Sequence, residues 1–316
     1  MHPEGAWLGL SLTRCGRRRL CASVWVAVAI LPPAACATSL PLAWPDERRA
    51  WQAEGSPGDL SRLARLPGPA SAVAFVPQGF STPQGRLPYR LLSPAGPERP
   101  QARWPLVVVL HGSGALGTDN IAQMDAFARS WADADLAARF PAFVVVPQFA
   151  ARGADYGPGP DGPRVARPGP ALPALVALVD DLCRRLAVDR TRVYVVGFSL
   201  GASTSLQALL ATPARFAAAV ALAPVPPARA SAARAVQAPM WLVAGSADTL
   251  NPLAASRRWV EAVRAAGGRA HVVTYTGMGH DIPADMIFAE DWRRWLFSQR
   301  QADPAPGAPQ GAARRR

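Results

Sequence analysis

The stretch Val193-Tyr194-Val195-Val196-Gly197-Phe198-Ser199-Leu200-Gly201-Ala202 decides the fold of this chain. Four β-formers lead into a Gly-Phe-Ser-Leu-Gly turn, and a helix-forming segment follows from Ser203 to Leu210. Glycine on each side lets strand and helix approach closely while the serine adopts a strained conformation. The pattern predicts a strand, a sharp turn and a helix that expose the Ser199 hydroxyl as a nucleophile. The alternative is a purely structural turn, because glycine and serine are common in loops.

Strands and helices alternate on both sides of this turn. The continuous apolar runs at 106–110 and 143–147 are typical of parallel strands buried on both faces. Further strands are predicted at 71–80, 87–92, 217–223, 240–244 and 271–275, and helices at 120–139, 174–187, 252–266 and 288–296. This order indicates an α/β fold with a mostly parallel, doubly wound sheet in a single domain.

The first 37 residues have the features of an export signal. Arginines at 14 and 17–19 precede an apolar run at 20–31, and the small residues that follow offer a cleavage site after Ala37. We therefore predict that 1–37 is a signal peptide and that the protein is exported, either to the periplasm or out of the cell. In one alternative, lipidated Cys36 tethers the protein to a membrane, and in another the arginines belong to a twin-arginine signal.

The remaining segments divide by composition. We predict a linker with one short helix around 46–53 at residues 38–70, the folded domain at residues 71–299, and a disordered tail at residues 300–316. The segment 150–173 is dense in glycine and proline, so we expect an irregular surface loop and hypothesise that it acts as a lid. Cys183, the one cysteine beyond the predicted signal, lies beside the apolar face of a predicted helix and should be buried.

Composition excludes some classes of function. Half of the 316 residues are hydrophobic, which is enough for a sizeable core. The formal net charge is +12, but the basic residues, all of them arginine, are scattered without an aromatic-interleaved stripe, so we expect no nucleic-acid partner. The chain contains no His-Glu-x-x-His motif or Cys-x-x-Cys pair, and we predict no metal site.

A serine nucleophile needs a base and a group that orients the base. Of the four histidines, His280 alone is expected in a loop that follows a late strand at its carboxyl end, where ligands bind in open α/β sheets. The acid should lie between Ser199 and His280 at another strand end, and Asp248 meets that condition while Glu261 falls within a helix. The alternatives are a surface hydrogen bond for His280 and a helix cap for Asp248.

An oxyanion hole is expected from the backbone N–H groups of Leu200 and Ser113, the latter in the loop after the strand at 106–110. Substrate contacts are expected from Gly112, Gly114, Gln148 and Phe198. The segment Gly112-Ser-Gly-Ala-Leu-Gly117 also matches a dinucleotide-binding fingerprint. No helix is expected directly after it, so we favour the hydrolytic interpretation and expect no cofactor.

Together these motifs resemble the α/β-hydrolase superfamily, and more narrowly its small secreted esterases: dienelactone-hydrolase-like proteins, "predicted peptidases" and phospholipase/carboxylesterase-type proteins. The resemblance runs from about Pro88 to Gln299 and includes Pro105–Gly114, Phe140–Gln148, Asp189–Gly201, Gly245–Asp248 and Gly279–Asp281. It implies Ser199, Asp248 and His280 as the triad and the turn after His111 as the oxyanion loop. Leu200 departs from the methionine common in this branch, and no tryptophan follows His280-Asp281.

The function expected from these residues is hydrolysis of a small-molecule carboxylic ester through an acyl-enzyme, without a cofactor. A peptidase or an acyltransferase would use the same triad. A non-catalytic binding protein on a hydrolase fold is the alternative from another class, and it would predict a missing histidine or aspartate.

Overall fold

The structure, a computed structural model, describes residues 48–50, 57–69, 72, 74–96, 101–160 and 162–301. The predicted signal at 1–37, including Cys36, and residues 302–316 of the tail predicted at 300–316 lie outside the described residues. All of the described residues belong to one compact unit.

Its strands are β1 (Arg48–Ala50), β2 (Phe75–Thr82), β3 (Gly85–Leu92), β4 (Trp104–Leu110), β5 (Phe143–Pro147), β6 (Ala154–Pro158), β7 (Arg164–Pro168), β8 (Val188–Phe198), β9 (Ala218–Leu222), β10 (Met240–Gly245) and β11 (Ala270–Thr276). Its helices are α1 (Pro57–Arg65), α2 (Ala126–Arg129), α3 (Ala134–Arg139), α4 (Leu172–Arg185), α5 (Leu200–Ala211), α6 (Leu253–Ala265), α7 (Ala284–Phe288) and α8 (Asp291–Ser298), with 3₁₀ turns at Ser113–Ala115, Ser130–Ala132 and Arg229–Ala235.

Nine of the described strands form one sheet in the order β1-β11-β10-β9-β8-β4-β5-β3-β2. Following this sheet order, the neighbouring strands from β1 through β11, β10, β9, β8 and β4 to β5 are all parallel. β3 then pairs antiparallel with β5, and β2 pairs antiparallel with β3 at the edge of the sheet. The predicted mostly parallel α/β sheet is therefore confirmed. Parallel pairing brings the carboxyl ends of β4, β5, β8, β10 and β11 to the same edge, where all the predicted site residues follow or end a strand.

The sheet is buried on both faces, as the apolar strands predict. In β8, Val193 and Val195 pack under α4, α5 and α6, whereas Tyr194 and Val196 pack with α2, α3, α7 and α8. Because both faces of the strand are buried, every residue in this part of β8 is apolar or aromatic.

The structure corrects the prediction for the segment 150–173. Instead of an irregular loop, it contains the antiparallel hairpin β6–β7, in which Tyr156 pairs with Ala166. Gly159, Pro160, Gly162 and Pro163 lie at its tip, and the residues on either side of the tip are extended and pair with one another.

Two predicted helices are also wrong in their extent. The segment 120–139 is divided into α2 and α3 because the carboxylates of Asp125 and Asp133 accept from the N–H groups of Ala128 and Leu136 and so start a new helix each time. The last helix is interrupted at 289–290, where the buried Arg293 guanidinium donates to the carbonyls of Ile287 and Ala289.

The amino-terminal part of the described chain differs as well. The helix expected around 46–53 is replaced at Arg48–Ala50 by β1, which pairs with β11, and the helix of this region is α1 at Pro57–Arg65. The arginine-rich composition of 38–70 gave no period that could have distinguished these elements.

Candidate active site

The turn between β8 and α5, residues 197–201, is the predicted sharp turn, and we call it the elbow. Ser199 adopts φ +54° and ψ −111°, a conformation that is strained for any residue with a side chain. A Cβ on Gly197 would lie 2.6 Å from the Gly201 carbonyl carbon, and one on Gly201 would lie 2.1 Å from the Leu110 oxygen. Both glycines are therefore required by the close approach of β8, α5 and β4.

His280 lies in the loop after β11 and contacts both of its expected partners. Its Nε2 is 2.8 Å from Ser199 Oγ, and its Nδ1 is 2.8 Å from Asp248 Oδ2. An ionised carboxylate only accepts, so Nδ1 carries the hydrogen and Nε2 accepts the one from the Ser199 hydroxyl. The Asp248 side chain is fully buried, whereas that of His280 is 17% exposed. The imidazole is thus held in the tautomer that accepts a proton from serine.

The loop after β10 fixes the Asp248 carboxylate. Oδ1 accepts from the backbone N–H groups of Leu250 at 2.9 Å and Asn251 at 2.8 Å, which leaves Oδ2 for His280. The loops that carry Asp248 and His280 also bind one another, since Ala247 N–H donates to the Met278 carbonyl. Asp281, next to His280, is exposed and accepts from the N–H of Ile282, so it shapes its own loop.

The loop after β4 lies against the elbow. A Cβ on Gly112 would be 3.3 Å from the Phe198 ring and 3.8 Å from Ser199 Cβ, so this position has little room beside the serine. Within the ranges that the structure describes, the N–H groups of Ser113 and Leu200 have no acceptor. Leu200 is the first residue of α5, where the helix leaves N–H groups unpaired and favours negative charge.

His111 connects the loop after β4 to the loop after β5 through two hydrogen bonds. Its Nε2 accepts from the Phe149 N–H at 3.1 Å, and its Nδ1 donates to the Gly112 carbonyl at 2.7 Å. Burial lowers the pKa of His111, with the hydrogen bond to Gly112 opposing that shift, so the ring is neutral at pH 7. Both nitrogens are occupied by backbone groups.

The other predicted contact residues have different surroundings. Gly114 is exposed, and the Phe198 ring centroid lies 5.1 Å from that of His280. Gln148 is fully buried: its Oε1 accepts from Asn120 N–H, and its Nε2 donates to Asp119 and the Ala115 carbonyl. Its amide therefore braces the loop at 115–120 instead of facing the elbow.

A model of the phospholipase/carboxylesterase family matches residues 169–290. A solved thermostable esterase is similar to the chain with 25% identity and a TM-score of 0.65, over 73% of this chain and 64% of the esterase. The chain has the α/β-hydrolase fold. The family model and the esterase together support a serine hydrolase, although the chain spans less than two thirds of the esterase's length.

Two solved peptidases share the fold with this α/β-hydrolase. A puromycin-hydrolysing peptidase of Mycobacterium tuberculosis is 18% identical, with a TM-score of 0.52 over 74% of this chain and 40% of its own. The dipeptidyl peptidase 4 of Porphyromonas gingivalis is 18% identical, with a TM-score of 0.54 over 71% of this chain and 35% of its own. At this identity the likeness concerns the fold alone. A comparison with curated proteins found no match.

Four polar residues beside the elbow or the Asp248 loop were not predicted from the sequence: Tyr156, Arg164, Ser203 and Asn251. Tyr156 OH donates to Ser203 Oγ at 3.1 Å, and Arg164 Nη2 donates to Asn251 Oδ1 at 2.7 Å. Tyr156 and Arg164 lie on the hairpin that the sequence did not predict, so nothing could place them near Ser199 or Asp248.

Among the residues that the structure describes, no cluster of three or more His, Cys, Asp or Glu side chains could hold a metal ion. Over the same residues, no helix has the length and apolar character needed to cross a membrane. Cys183 is buried as expected, and burial raises the pKa of its thiol.

Proposed function

We propose that this α/β-hydrolase is a serine esterase that cleaves carboxylic esters of small molecules through an acyl-enzyme. The observation that carries the proposal is the continuous hydrogen-bonded chain from Ser199 Oγ through His280 to Asp248, with both links at 2.8 Å. A lone serine is a weak nucleophile at neutral pH, and this arrangement supplies the base and the group that orients it.

In the proposed reaction, Ser199 Oγ attacks the ester carbonyl while His280 Nε2 takes the hydroxyl proton. Asp248 stabilises the resulting imidazolium through the Nδ1 hydrogen bond. The N–H groups of Ser113 and Leu200 bind the oxyanion, and His280 then protonates the departing alcohol. Water attacks the acyl-enzyme by the same route and frees Ser199. The protein groups supply every proton transfer, so the proposal needs no cofactor.

The test is hydrolysis of p-nitrophenyl acetate and butyrate by the purified protein and by the Ser199→Ala variant. Activity that is lost in the variant, together with fluorophosphonate labelling mapped to Ser199, is the expected result. Equal rates in the two proteins, with no label on Ser199, would contradict the proposal and favour a binding protein.

A peptidase is the second candidate, favoured by the two solved peptidases that share the fold. Esters are preferred because an amide has the poorer leaving group and the chain covers only 40% and 35% of those peptidases. Matched p-nitrophenyl ester and p-nitroanilide substrates of one amino acid separate the two. An anilide kcat/KM equal to or above that of the ester would replace the esterase by a peptidase.

We also propose that the protein acts outside the cytoplasm, on the grounds of the motif at 1–37. Mass spectrometry of the protein from cell fractions should find an exported form that begins at Thr38. A diacylated form that begins at Cys36 would support a membrane tether instead. A full-length protein retained in the cytoplasm would contradict both.

A further inference from the structure

The β6–β7 hairpin is fixed to the body of the hydrolase by backbone hydrogen bonds as well as side chains. Ala166 N–H donates to the Pro226 carbonyl, and the buried Gln207 amide donates to the Ala166 carbonyl, both at 2.9 Å. On the inner face, Ala154 and Ala166 pack against Leu200, the first residue after the elbow serine. The hairpin is therefore packed directly beside the elbow.

The first polar contact of the hairpin reaches the elbow through Ser203, which is fully buried in α5. Ser203 Oγ accepts from Tyr156 OH at 3.1 Å and from Val225 N–H at 2.9 Å, and it donates to the Ser199 carbonyl at 3.1 Å. A hydroxyl has one hydrogen and two lone pairs, so these three bonds satisfy it completely. Tyr156 thus helps to fix the direction of the Ser203 hydroxyl hydrogen. That hydrogen adds a side-chain bond to a Ser199 carbonyl that also accepts from the Ser203 backbone N–H at 3.0 Å.

The second polar contact reaches the loop of Asp248. Arg164 Nη2 donates to the Leu250 carbonyl at 2.6 Å and to Asn251 Oδ1 at 2.7 Å. Leu250 and Asn251 are the two residues whose N–H groups hold Asp248 Oδ1. Arg164 therefore restrains the segment that orients the carboxylate.

The two contacts are joined across the hairpin. The guanidinium carbon of Arg164 lies 5.0 Å from the Tyr156 ring centroid, and that of Arg152 lies 4.5 Å from it. At these distances the cations are attracted to the ring. Arg164 therefore contacts the Asp248 loop and the tyrosine that leads to Ser199 at the same time.

We propose that the β6–β7 hairpin is a clamp that fixes the position of the elbow relative to the Asp248 loop, with Tyr156 and Arg164 as positioning residues. The proposal rests on the proposed acyl-enzyme reaction at Ser199. It replaces the hypothesis that this segment is a lid, because opening the hairpin would break both contacts that support the triad. Misplacement of reacting groups by a fraction of an ångström lowers kcat more than it lowers substrate binding.

The decisive experiment compares Tyr156→Phe, Ser203→Ala and the double variant by steady-state hydrolysis of p-nitrophenyl acetate and by the rate of fluorophosphonate labelling. We expect kcat to fall about 3- to 10-fold for Tyr156→Phe and about 10- to 100-fold for Ser203→Ala, with KM nearly unchanged. Because Tyr156 acts through Ser203, the double variant should lose no more than Ser203→Ala alone.

Two matched controls test whether the effect is local. Tyr89→Phe removes a phenol hydroxyl that accepts from Arg185 elsewhere in the fold, and Arg167→Gln removes an arginine on the outer face of the same hairpin. Both should keep the wild-type kcat and labelling rate. Additive losses in the double variant, a loss confined to KM, or equal losses in the controls would overturn the clamp.

Arg164 is tested by the pair Arg164→Met and Arg164→Lys. Methionine keeps the length without a donor and should lower kcat and labelling together by about 5- to 20-fold, while lysine should recover part of the loss. Wild-type kcat in Arg164→Met would overturn the role of Arg164. If the wild-type protein hydrolyses no ester but Ser199 is still labelled, the esterase proposal fails and the labelling rates alone decide on the clamp. If Ser199 is not labelled, both fail.

Discussion

Two histidine loops at the same edge of the sheet have opposite properties. His111 follows β4 and His280 follows β11, yet the nitrogens of His111 are both occupied by backbone groups, whereas those of His280 contact a carboxylate and a hydroxyl. Burial lowers the pKa of His111 and keeps its ring neutral, whereas His280 lies between the Asp248 carboxylate and the Ser199 hydroxyl. The same type of side chain can therefore brace a loop, as His111 does, or take up a proton, which is the role proposed for His280, according to what its two nitrogens contact.

The largest expected effect is at His280. We expect His280→Ala to lower kcat/KM for p-nitrophenyl acetate by about 10⁴-fold or more, because Ser199 then has no base. Initial-rate measurements check this, with the urea unfolding midpoint as the control for folding. A loss of less than about tenfold would contradict the assignment of His280 as the base.

The next effect is at the group that distinguishes His280 from His111. Asp248→Asn keeps the shape but places a neutral amide at Nδ1, so we expect kcat to fall by about 10³- to 10⁴-fold with KM little changed. Asp281→Asn is the matched control, because that neighbouring carboxylate is exposed and bonds only within its own loop. Comparable losses in the two variants would contradict the assignment of Asp248.

A smaller effect is expected at His111. His111→Ala leaves the Phe149 N–H without its acceptor and frees the Gly112 carbonyl, which should lower the free energy of unfolding by about 1–3 kcal/mol. The oxyanion loop would be less well placed, so we expect kcat to fall by about 10- to 100-fold. Urea titration and initial rates measure the two effects. A loss of kcat as large as that of His280→Ala would contradict a purely structural role for His111.

The smallest effect concerns pH and a third histidine. Burial, with a contribution from Arg264, lowers the pKa of His271 from 6.5 to about 4. A histidine whose pKa is depressed in the fold stabilises the protein fully above pH 6.5 and loses that contribution as the pH falls towards 4. The free energy of unfolding of the wild type should therefore fall more steeply over this window than that of His271→Gln. Parallel curves from urea titrations at several pH values would contradict the shift.

The parts of the molecule that depend on contiguous sequence were predictable. The strand, elbow and helix at 193–210 are encoded by adjacent residues, and chain order together with strand ends was enough to bring Ser199, Asp248 and His280 to one edge. The hairpin at 154–168 and the break in the last helix were not predictable, because they depend on partners distant in sequence. Gln207 holds Ala166, and Arg293 interrupts the last helix only because its guanidinium is buried. The break at 120–139 is different, since Asp125 and Asp133 are local helix caps that the prediction did not use.

The same limit applies to the residues around the site. Gln148 was predicted to contact the substrate, but its amide is bonded to the loop at 115–120. Tyr156 and Ser203 are 47 residues apart, and only the folded hairpin brings their hydroxyls together.

The conformation that Ser199 adopts for its proposed role as nucleophile lowers the stability of the protein. A φ of +54° with ψ of −111° costs on the order of 1–3 kcal/mol for serine, whereas glycine tolerates positive φ. Ser199→Gly should therefore melt at a higher temperature than the wild type while it loses the nucleophile. Selection for expression level or heat resistance alone would thus favour inactive proteins, so any engineering of this chain needs a screen that measures turnover alongside folding.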